Sequence, residues 1–240
     1  MDRRQWLTLL GLAPEEVPQL LVTEGTWWRD RALGLRLPLL TDVRETGMPD
    51  LWWGRYDGVP VAYCPAYGAA RAVEPVHVLA TCGTPRVVQI GSCGGFFVPT
   101  GTIVISDAAT IGEGASQYYG GVGVSRPTPA LVQRASALLP SARVGPTVST
   151  DALLVQEPEV LARWAGHLGV DMETSAVFSA AAHFGMEALS LLYVWDELPG
   201  RSWTDVFTPE ETAAQEAANE LTFATALQLL APGVEQLQRG

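Results

Sequence analysis

The sequence of 240 residues contains no lysine, so all 15 basic residues are arginine, and they face 26 Asp and Glu residues. Without lysine there is no P-loop lysine, no Schiff-base lysine and no kinase lysine, which excludes the enzymes that depend on one. The net charge of −11 also argues against a nucleic-acid polymer as partner, because phosphate backbones need dense cationic patches. A phosphate bound by this chain must therefore be held by a few local arginines.

Cysteine is scarce too: three residues form no C-x-x-C pair, and the three histidines lie far apart in the sequence. This spacing argues against a structural zinc site, so we expect no bound metal. No apolar run is long enough to span a bilayer, and the start of the chain lacks the small-residue cleavage site of a secretory signal. Together with reduced cysteines, these features predict a cytoplasmic protein with no membrane partner.

The composition describes a compact protein, with 48% hydrophobic and 17% charged residues. We therefore predict a single domain over residues 1–240. Helical patterns alternate with short β-branched runs, which predicts a mixed, mostly parallel central sheet flanked by helices on both faces, an α/β fold. The predicted strands lie at residues 59–64, 86–90, 102–106, 142–148 and 188–195.

Two helices have clear boundaries. Gly185 is the predicted C-cap of a helix over residues 172–184, and Thr208 is the predicted N-cap of a helix over residues 209–230.

One acidic residue of the first helix falls on a face that is otherwise apolar. In a helix that begins at residue 172, Glu173 shares a face with Ala176, Val177, Ala180 and Phe184. An inward carboxylate is costly unless it meets a partner or a ligand, and its two oxygens suit a vicinal diol such as that of ribose. The alternative is that Asp171 and Glu173 only favour the helix N-terminus through its dipole, which suits Asp171 better.

Ligands of open α/β sheets gather at the carboxyl ends of strands. Residues 91–95, Gly-Ser-Cys-Gly-Gly, follow the strand at 86–90, and their amides and hydroxyl could surround an oxyanion. Glycines in this position are also common in simple tight turns, and the segment alone does not separate the two interpretations.

A further acid, Asp196, follows the apolar strand at 188–195. Desolvation should raise its pKa, so that it could hold a proton and pass it to a leaving group, with Arg201 placed to modulate it. The alternative is an Asp that merely turns the chain at the end of a strand.

Two tryptophan doublets, Trp27-Trp28 and Trp52-Trp53, could line a pocket for a planar ring. Such pairs more often pack in cores or at subunit contacts, and we prefer that interpretation for at least one residue of each pair.

Taken together, five stretches form an ordered set: Gly25-Thr26-Trp27-Trp28-Arg29, Gln89-Ile90-Gly91-Ser92-Cys93-Gly94-Gly95, Glu113-Gly114-Ala115-Ser116-Gln117-Tyr118-Tyr119, Asp171-Met172-Glu173-Thr174-Ser175-Ala176 and Trp195-Asp196. The chain resembles the trimeric or hexameric nucleoside phosphorylase family, which includes purine nucleoside and uridine phosphorylases and related nucleosidases. The similarity runs from about residue 21 to residue 230.

The resemblance implies a role for each matching position. In it, Asp196 protonates the purine at N7 with Arg201 nearby, and a neighbouring subunit lends Arg44, which requires at least a dimer and allows a hexamer. The other implied phosphate contacts are Gly25, Arg29, Gln89, Gly91 and Ser92. Implied ribose contacts are Tyr67, Met172 and Glu173, and implied base contacts are Cys93, Gly94, Ser149, Asp151, Asp171 and Trp195.

The implied activity is phosphorolysis of purine nucleosides to free base and ribose 1-phosphate, with inorganic phosphate as co-substrate and no cofactor. The sequence departs from the family at Gln89, where an arginine is usual, so one charge-assisted bond of about 1.5–3 kcal/mol becomes a neutral one. Trp195 also replaces a small serine. The alternatives are a uridine phosphorylase, a nucleosidase that uses water with Glu24 as base, and a nucleoside-binding protein without turnover.

Overall fold

Ten strands and seven helices are present in residues 1–230, the part of the chain that the structure, a computed structural model, describes. Residues 231–240 of the predicted domain lie outside the described residues. The strands are β1 (Leu20–Gly25), β2 (Thr41–Glu45), β3 (Trp52–Tyr56), β4 (Val59–Pro65), β5 (Arg86–Phe96), β6 (Ile103–Gly112), β7 (Val124–Ser125), β8 (Arg143–Thr150), β9 (Gly169–Asp171) and β10 (Glu187–Leu198). The helices are α1 (Arg3–Leu10), α2 (Arg29–Arg36), α3 (Ala69–Cys82), α4 (Pro129–Leu138), α5 (Pro158–Trp164), α6 (Thr174–Phe184) and α7 (Pro209–Gln228).

The strands form one mixed sheet in the order β10-β6-β8-β9-β5-β1-β4-β3-β2, and β7 pairs with β6. Because β10 also pairs with β5, five of these strands close into a ring. Pairings of β1 with β4 and β5, and of β5 with β10, are parallel, whereas β2, β3 and β4 form an antiparallel extension. The predicted α/β fold class is confirmed.

Helices cover both faces of the sheet, as the alternating side chains of β1 show. Leu21 packs in a core with α1, α3 and α6, whereas Leu20 and Val22 pack in a second core with α4 and α7. This alternation follows from the two-residue period of a strand. No helix within residues 1–230 combines the length and the apolar character that crossing a bilayer requires.

Several strands run further than predicted, among them β5. The strand predicted at 86–90 continues to Phe96, because β5 pairs with β10 along its whole length, so residues 91–95 are strand and the predicted turn is wrong. Glycine at this point has a steric reason: a Cβ on Gly91 would lie 2.9 Å from the carbonyl oxygen of Gly25 in the neighbouring strand.

Both predicted helices are present with small differences at their starts and ends. Helix α6 begins at Thr174 rather than at residue 172, and it ends at Gly185, whose φ of 72° is typical of a C-cap. Helix α7 has Thr208 as its N-cap, as predicted, and ends at Gln228 rather than at residue 230. Thr208 also forms a capping box with Glu211.

Candidate active site

A bulge in β10 brings two consecutive side chains to one cleft. The register between β10 and β5 shifts between Val194 and Asp196, so the extra residue is Trp195. Bulges re-aim side chains, and here both Trp195 and Asp196 line the same cleft. Asp196 therefore lies inside the strand, opposite Gly94, and the prediction that it follows the strand end is wrong.

The cleft lies where β1, β5 and β10 meet the loop after β10. Its lining residues are Gly25, Thr26, Trp27, Trp28, Tyr67, Ser92, Cys93, Gly94, Leu153, Gln156, Val170, Tyr193, Trp195, Asp196 and Trp203.

Six of the fifteen residues that line the cleft are aromatic. Trp28 stacks on Trp195 with ring centroids 5.5 Å apart and planes 29° apart. Trp27 meets Tyr67 edge-on at 5.3 Å and Trp203 at 5.0 Å. Both tryptophans of the first doublet thus line the cleft, so packing in the core is wrong for this doublet, while a subunit contact stays a prediction.

Asp196 is buried and has the chemistry of a proton donor. Asp196 is only 6% exposed. Burial raises its pKa to about 6, and a hydrogen bond from the backbone N–H of Trp203 opposes this rise to a smaller extent. The nearby Asp205 raises the pKa further. A carboxyl group with a pKa near neutrality can donate a proton to a leaving group at physiological pH.

Glu173 lies directly behind the wall of the cleft. Glu173 is only 4% exposed, so the prediction that its side chain points inward is confirmed. The predicted reason, a position on the apolar face of a helix, is wrong, because Glu173 is the N-cap of α6. Its Oε1 accepts a hydrogen bond from the N–H of Gly68 at 2.6 Å, and a Cβ on Gly25 would lie 2.4 Å from its Oε2. Burial, and then the charge of Asp171, raise its pKa to about 8.

Asp171 and Ser149 form a buried pair outside the cleft lining, and this arrangement does not favour the base contacts that were expected of them. Ser149 Oγ donates to Asp171 Oδ1 at 2.6 Å, and the N–H of Thr174 donates to Asp171 Oδ2 at 2.8 Å. The carboxylate therefore caps the start of α6, in agreement with the alternative based on the helix N-terminus.

Gln89 belongs to the same buried network. Its amide oxygen accepts hydrogen bonds from Thr174 Oγ1 at 3.1 Å and from Ser190, and its Nε2 donates to the carbonyl oxygen of Ile90 at 3.1 Å. The side chain is fully buried and does not line the cleft. Gln89, which replaces the expected arginine, is thus an uncharged member of a buried hydrogen-bond network.

The three arginines expected at the site do not line the cleft. Arg29 is half exposed and pairs with Asp30 and Asp50, and Arg201 pairs with Glu211. In each case the guanidinium charge is balanced by a carboxylate outside the cleft.

The third arginine, Arg44, lies on the antiparallel extension of the sheet. It pairs with Glu16 at 2.7 Å, and its guanidinium lies 4.0 Å from the ring centroid of Trp53. Trp53 is a core residue, 2% exposed, as preferred for one member of the second doublet. Arg44 could therefore contribute only to the cleft of a neighbouring subunit.

Of the other predicted residues, Met172 is half-buried and Asp151 is exposed, where it accepts a hydrogen bond from the N–H of Gly114 at 2.9 Å. Neither lines the cleft. Seven predicted residues do meet there: Gly25, Tyr67, Ser92, Cys93, Gly94, Trp195 and Asp196.

The sequence did not predict Tyr193 or Trp203 as part of the cleft. The available signal was that Trp203 directly follows the loop segment Pro199-Gly200-Arg201-Ser202, because an aromatic residue in a loop has no core to fill.

Glu24 does not serve as a base at the cleft. Its carboxylate accepts hydrogen bonds from Arg36 Nε at 2.9 Å and Nη2 at 3.0 Å and from the hydroxyl of Tyr63 at 2.7 Å. The pair is buried, with side chains 5% and 1% exposed for Glu24 and Arg36. Both carboxylate oxygens are engaged by these partners and Glu24 does not line the cleft, so the base role considered for Glu24 is not supported.

Within residues 1–230, no group of three His, Cys, Asp or Glu side chains is placed to hold a metal ion. The polar groups of the cleft lining are one buried acid, two phenols, two aliphatic hydroxyls, an amide and a thiol.

Comparisons with known proteins agree with the resemblance in the sequence. The model of the phosphorylase superfamily matches residues 45–231. A DeoD-type purine nucleoside phosphorylase of Clostridium beijerinckii is 25% identical over 200 residues, which cover 77% of this chain and 79% of the relative. Another, from Clostridium perfringens, is 34% identical over 84 residues, and the chain spans only about a third of that relative, 32%.

Among solved structures, the chain is similar to uridine phosphorylase from Vibrio fischeri, with a TM-score of 0.77 and 23% identity over 96% of this chain and 94% of that one. At this identity the likeness establishes the fold.

Proposed function

Because the chain belongs to the phosphorylase superfamily, we propose that it cleaves the N-glycosidic bond of purine nucleosides, with inorganic phosphate as the attacking group. The observation that carries this proposal is Asp196, a buried acid with a raised pKa at the bulge of β10, in a cleft walled by indole rings. These are the two features that a departing heterocycle needs: a flat apolar surface and a proton.

In this proposal the base lies among the indole rings, and Asp196 protonates N7 while the bond from the base to the anomeric carbon breaks. The electron pair of that bond moves into the purine, which leaves neutral. Asp196 favours the purine over uracil, because a carboxyl group donates well to a ring nitrogen such as N7.

The sugar would lie between Tyr67 and Gly25, with the carboxyl of Glu173 behind it. Glu173 is close to Gly25 and Gly68, so a small movement of either backbone segment would give a ribose hydroxyl access to it. Phosphate would bind near Gly25 and Ser92, with Arg29 released from Asp50 and with Arg44 of a neighbouring subunit. The assembly would then be a homo-oligomer.

The test is base release from inosine, guanosine, adenosine and uridine, each with and without phosphate. We expect release from the purine nucleosides, little from uridine, and formation of ribose 1-phosphate only when phosphate is present. Release from uridine alone would contradict the choice of purine, and release from none of the four would contradict an enzyme of this class.

A second candidate, hydrolysis by water, is favoured by one observation: among residues 1–230, no arginine or histidine lines the cleft. An anion in the cleft would then meet backbone amides and the hydroxyls of Thr26 and Ser92, which are uncharged. Purine release at full rate in phosphate-free buffer, with ribose as the sugar product, would replace phosphorolysis by hydrolysis.

A further inference from the structure

The charge of the cleft lining is negative. Of the side chains described in residues 1–230, Asp196 is the one charged group among its lining residues. The arginines nearest to the cleft along the chain, Arg29 and Arg201, are balanced by Asp30, Asp50 and Glu211. A ligand in the cleft therefore meets negative charge that is not offset from within the walls.

The indole rings add to this negative character. Four tryptophans, at positions 27, 28, 195 and 203, line the cleft. The face of an indole ring is the strongest aromatic partner for a cation, with an attraction of about 0.5–1 kcal/mol when exposed and about 2 kcal/mol or more when desolvated. Trp195 is directly next to Asp196 in sequence, so a ring face and a carboxylate act on the same part of the cleft.

The protonation state of Asp196 also determines the charge of the cleft. With a pKa of about 6, Asp196 is mostly ionised at pH 7.5, and this form balances a positive ring, whereas the smaller protonated fraction is the form that donates to a neutral base. At the same pH, the raised pKa of Glu173, behind the cleft wall, keeps that acid largely neutral.

We propose that this cleft selects heterocycles that carry a fixed positive charge, such as N-alkylated purinium or pyridinium rings, over neutral rings of the same shape. For a nucleoside of such a base, the inference rests on the proposed function. The glycosidic bond would break with its electron pair moving to the charged ring nitrogen, and phosphate would form the new bond at the anomeric carbon. The ring leaves neutral, and Asp196 supplies no proton.

The test uses two small probes that differ in charge alone. 1-Methylnicotinamide has a pyridinium ring, and 3-methylbenzamide is its neutral carbon isostere. Calorimetric titration of the full chain at pH 7.5 should show that the cation binds at least about ten-fold more tightly, as expected from a partly desolvated cation–π contact beside a carboxylate. Calorimetry is preferred because pyridinium rings quench tryptophan fluorescence without binding. Equal affinity for the two probes would overturn the inference.

Variants separate the two sources of selectivity. Asp196→Asn and Trp195→Leu should each lower the preference for the cation to less than about three-fold, whereas Trp195→Phe, which keeps a ring face, should retain most of it. Asp205→Asn is the matched control, because it removes an exposed negative charge near Asp196 but outside the cleft lining. A preference that survives in both Asp196→Asn and Trp195→Leu, or that is lost equally in Asp205→Asn, would contradict the inference.

The base-release panel distinguishes this inference from the proposed function. If purine nucleosides are cleaved but the two probes bind equally, selection by charge is wrong and the function stands. If the cation is preferred but no nucleoside is cleaved, selection by charge stands and the function is wrong.

Discussion

The two ends of the candidate site differ in how completely this chain builds them. At the base end, Trp195, Trp203 and Asp196 already meet around one cleft. At the end expected to hold phosphate, Gly25 and Ser92 are in place, but the arginines expected there form ion pairs elsewhere. On the proposed function, recognition of the ring would therefore be fixed by the fold, whereas recognition of phosphate would depend on rearrangement or on a second subunit.

The largest effect is expected at the base end. Asp196→Asn should lower kcat for a neutral purine nucleoside by about 10²–10⁴-fold, because the amide has no proton to donate to the leaving base. Asp205→Asn, which changes an exposed residue of the adjacent loop, should remain within about three-fold of wild type. Steady-state kinetics with inosine measure both, and equal rates for wild type and Asp196→Asn would remove the acid from the mechanism.

A smaller effect is expected at the anion end. Arg29→Ala should raise the KM for phosphate by about ten-fold or more, since a charge-assisted hydrogen bond contributes about 1.5–3 kcal/mol. Arg31→Ala is the matched control: it lies on the same helix, α2, and its exposed partner is Glu216. If the two variants have the same KM for phosphate, Arg29 does not reach the anion. The chain would then build even less of the anion end by itself than proposed.

The backbone between the two ends should also be sensitive. Gly25→Ala places a Cβ about 2.4 Å from Glu173 Oε2, so the carboxyl must move, and we expect a rise of about ten-fold in the KM for the nucleoside. Gly34→Ala, where a Cβ meets no atom within 4 Å, should leave this KM unchanged. Kinetics with saturating phosphate compare the two, and an unchanged KM in Gly25→Ala would argue against a role for Glu173 at the sugar.

The smallest effect concerns stability. The pKa of Glu173 is raised from 4.5 to about 8 in the folded state, so between these values the unfolded chain ionises first and the folded state loses stability as the pH rises. Glu173→Gln removes this dependence. Relative to wild type, its Tm should therefore be higher at pH 8.5 than at pH 5 by at least about 3 °C.

The exposed substitution Glu220→Gln is the control for this stability measurement and should show no such difference between the two pH values. A Tm difference in Glu173→Gln that does not change with pH would show that Glu173 ionises alike in the folded and unfolded chain.

The sequence predicted the fold class well, because strands and helices were marked by strong periodicity and by caps such as Thr208 and Gly185. It missed the continuation of β5 through residues 91–95, because a glycine run usually indicates a turn and only the pairing with β10 makes it a strand. It also missed that Glu173 occupies the N-cap position of α6. The side chain that accepts the hydrogen bond from the first N–H of the helix belongs to Asp171, so Glu173 itself shows no capping pattern.

Within the site, the local motifs identified Asp196 and Ser92, which line the cleft. The positions of Arg29 and Gln89 were not predictable from motifs, because each depends on long-range partners: Asp50 for the arginine, and Ser190 and Thr174 for the amide. Ion pairs and buried networks of this kind are set by tertiary packing.

The central claim is that Asp196 donates a proton to the departing base, and the pH profile of kcat/KM for inosine tests it most directly. Because the carboxyl must be protonated to act and its pKa is raised to about 6, the rate should fall about ten-fold per pH unit above about pH 6. A rate that stays constant from pH 6 to pH 8, or that rises over this range, would contradict the account.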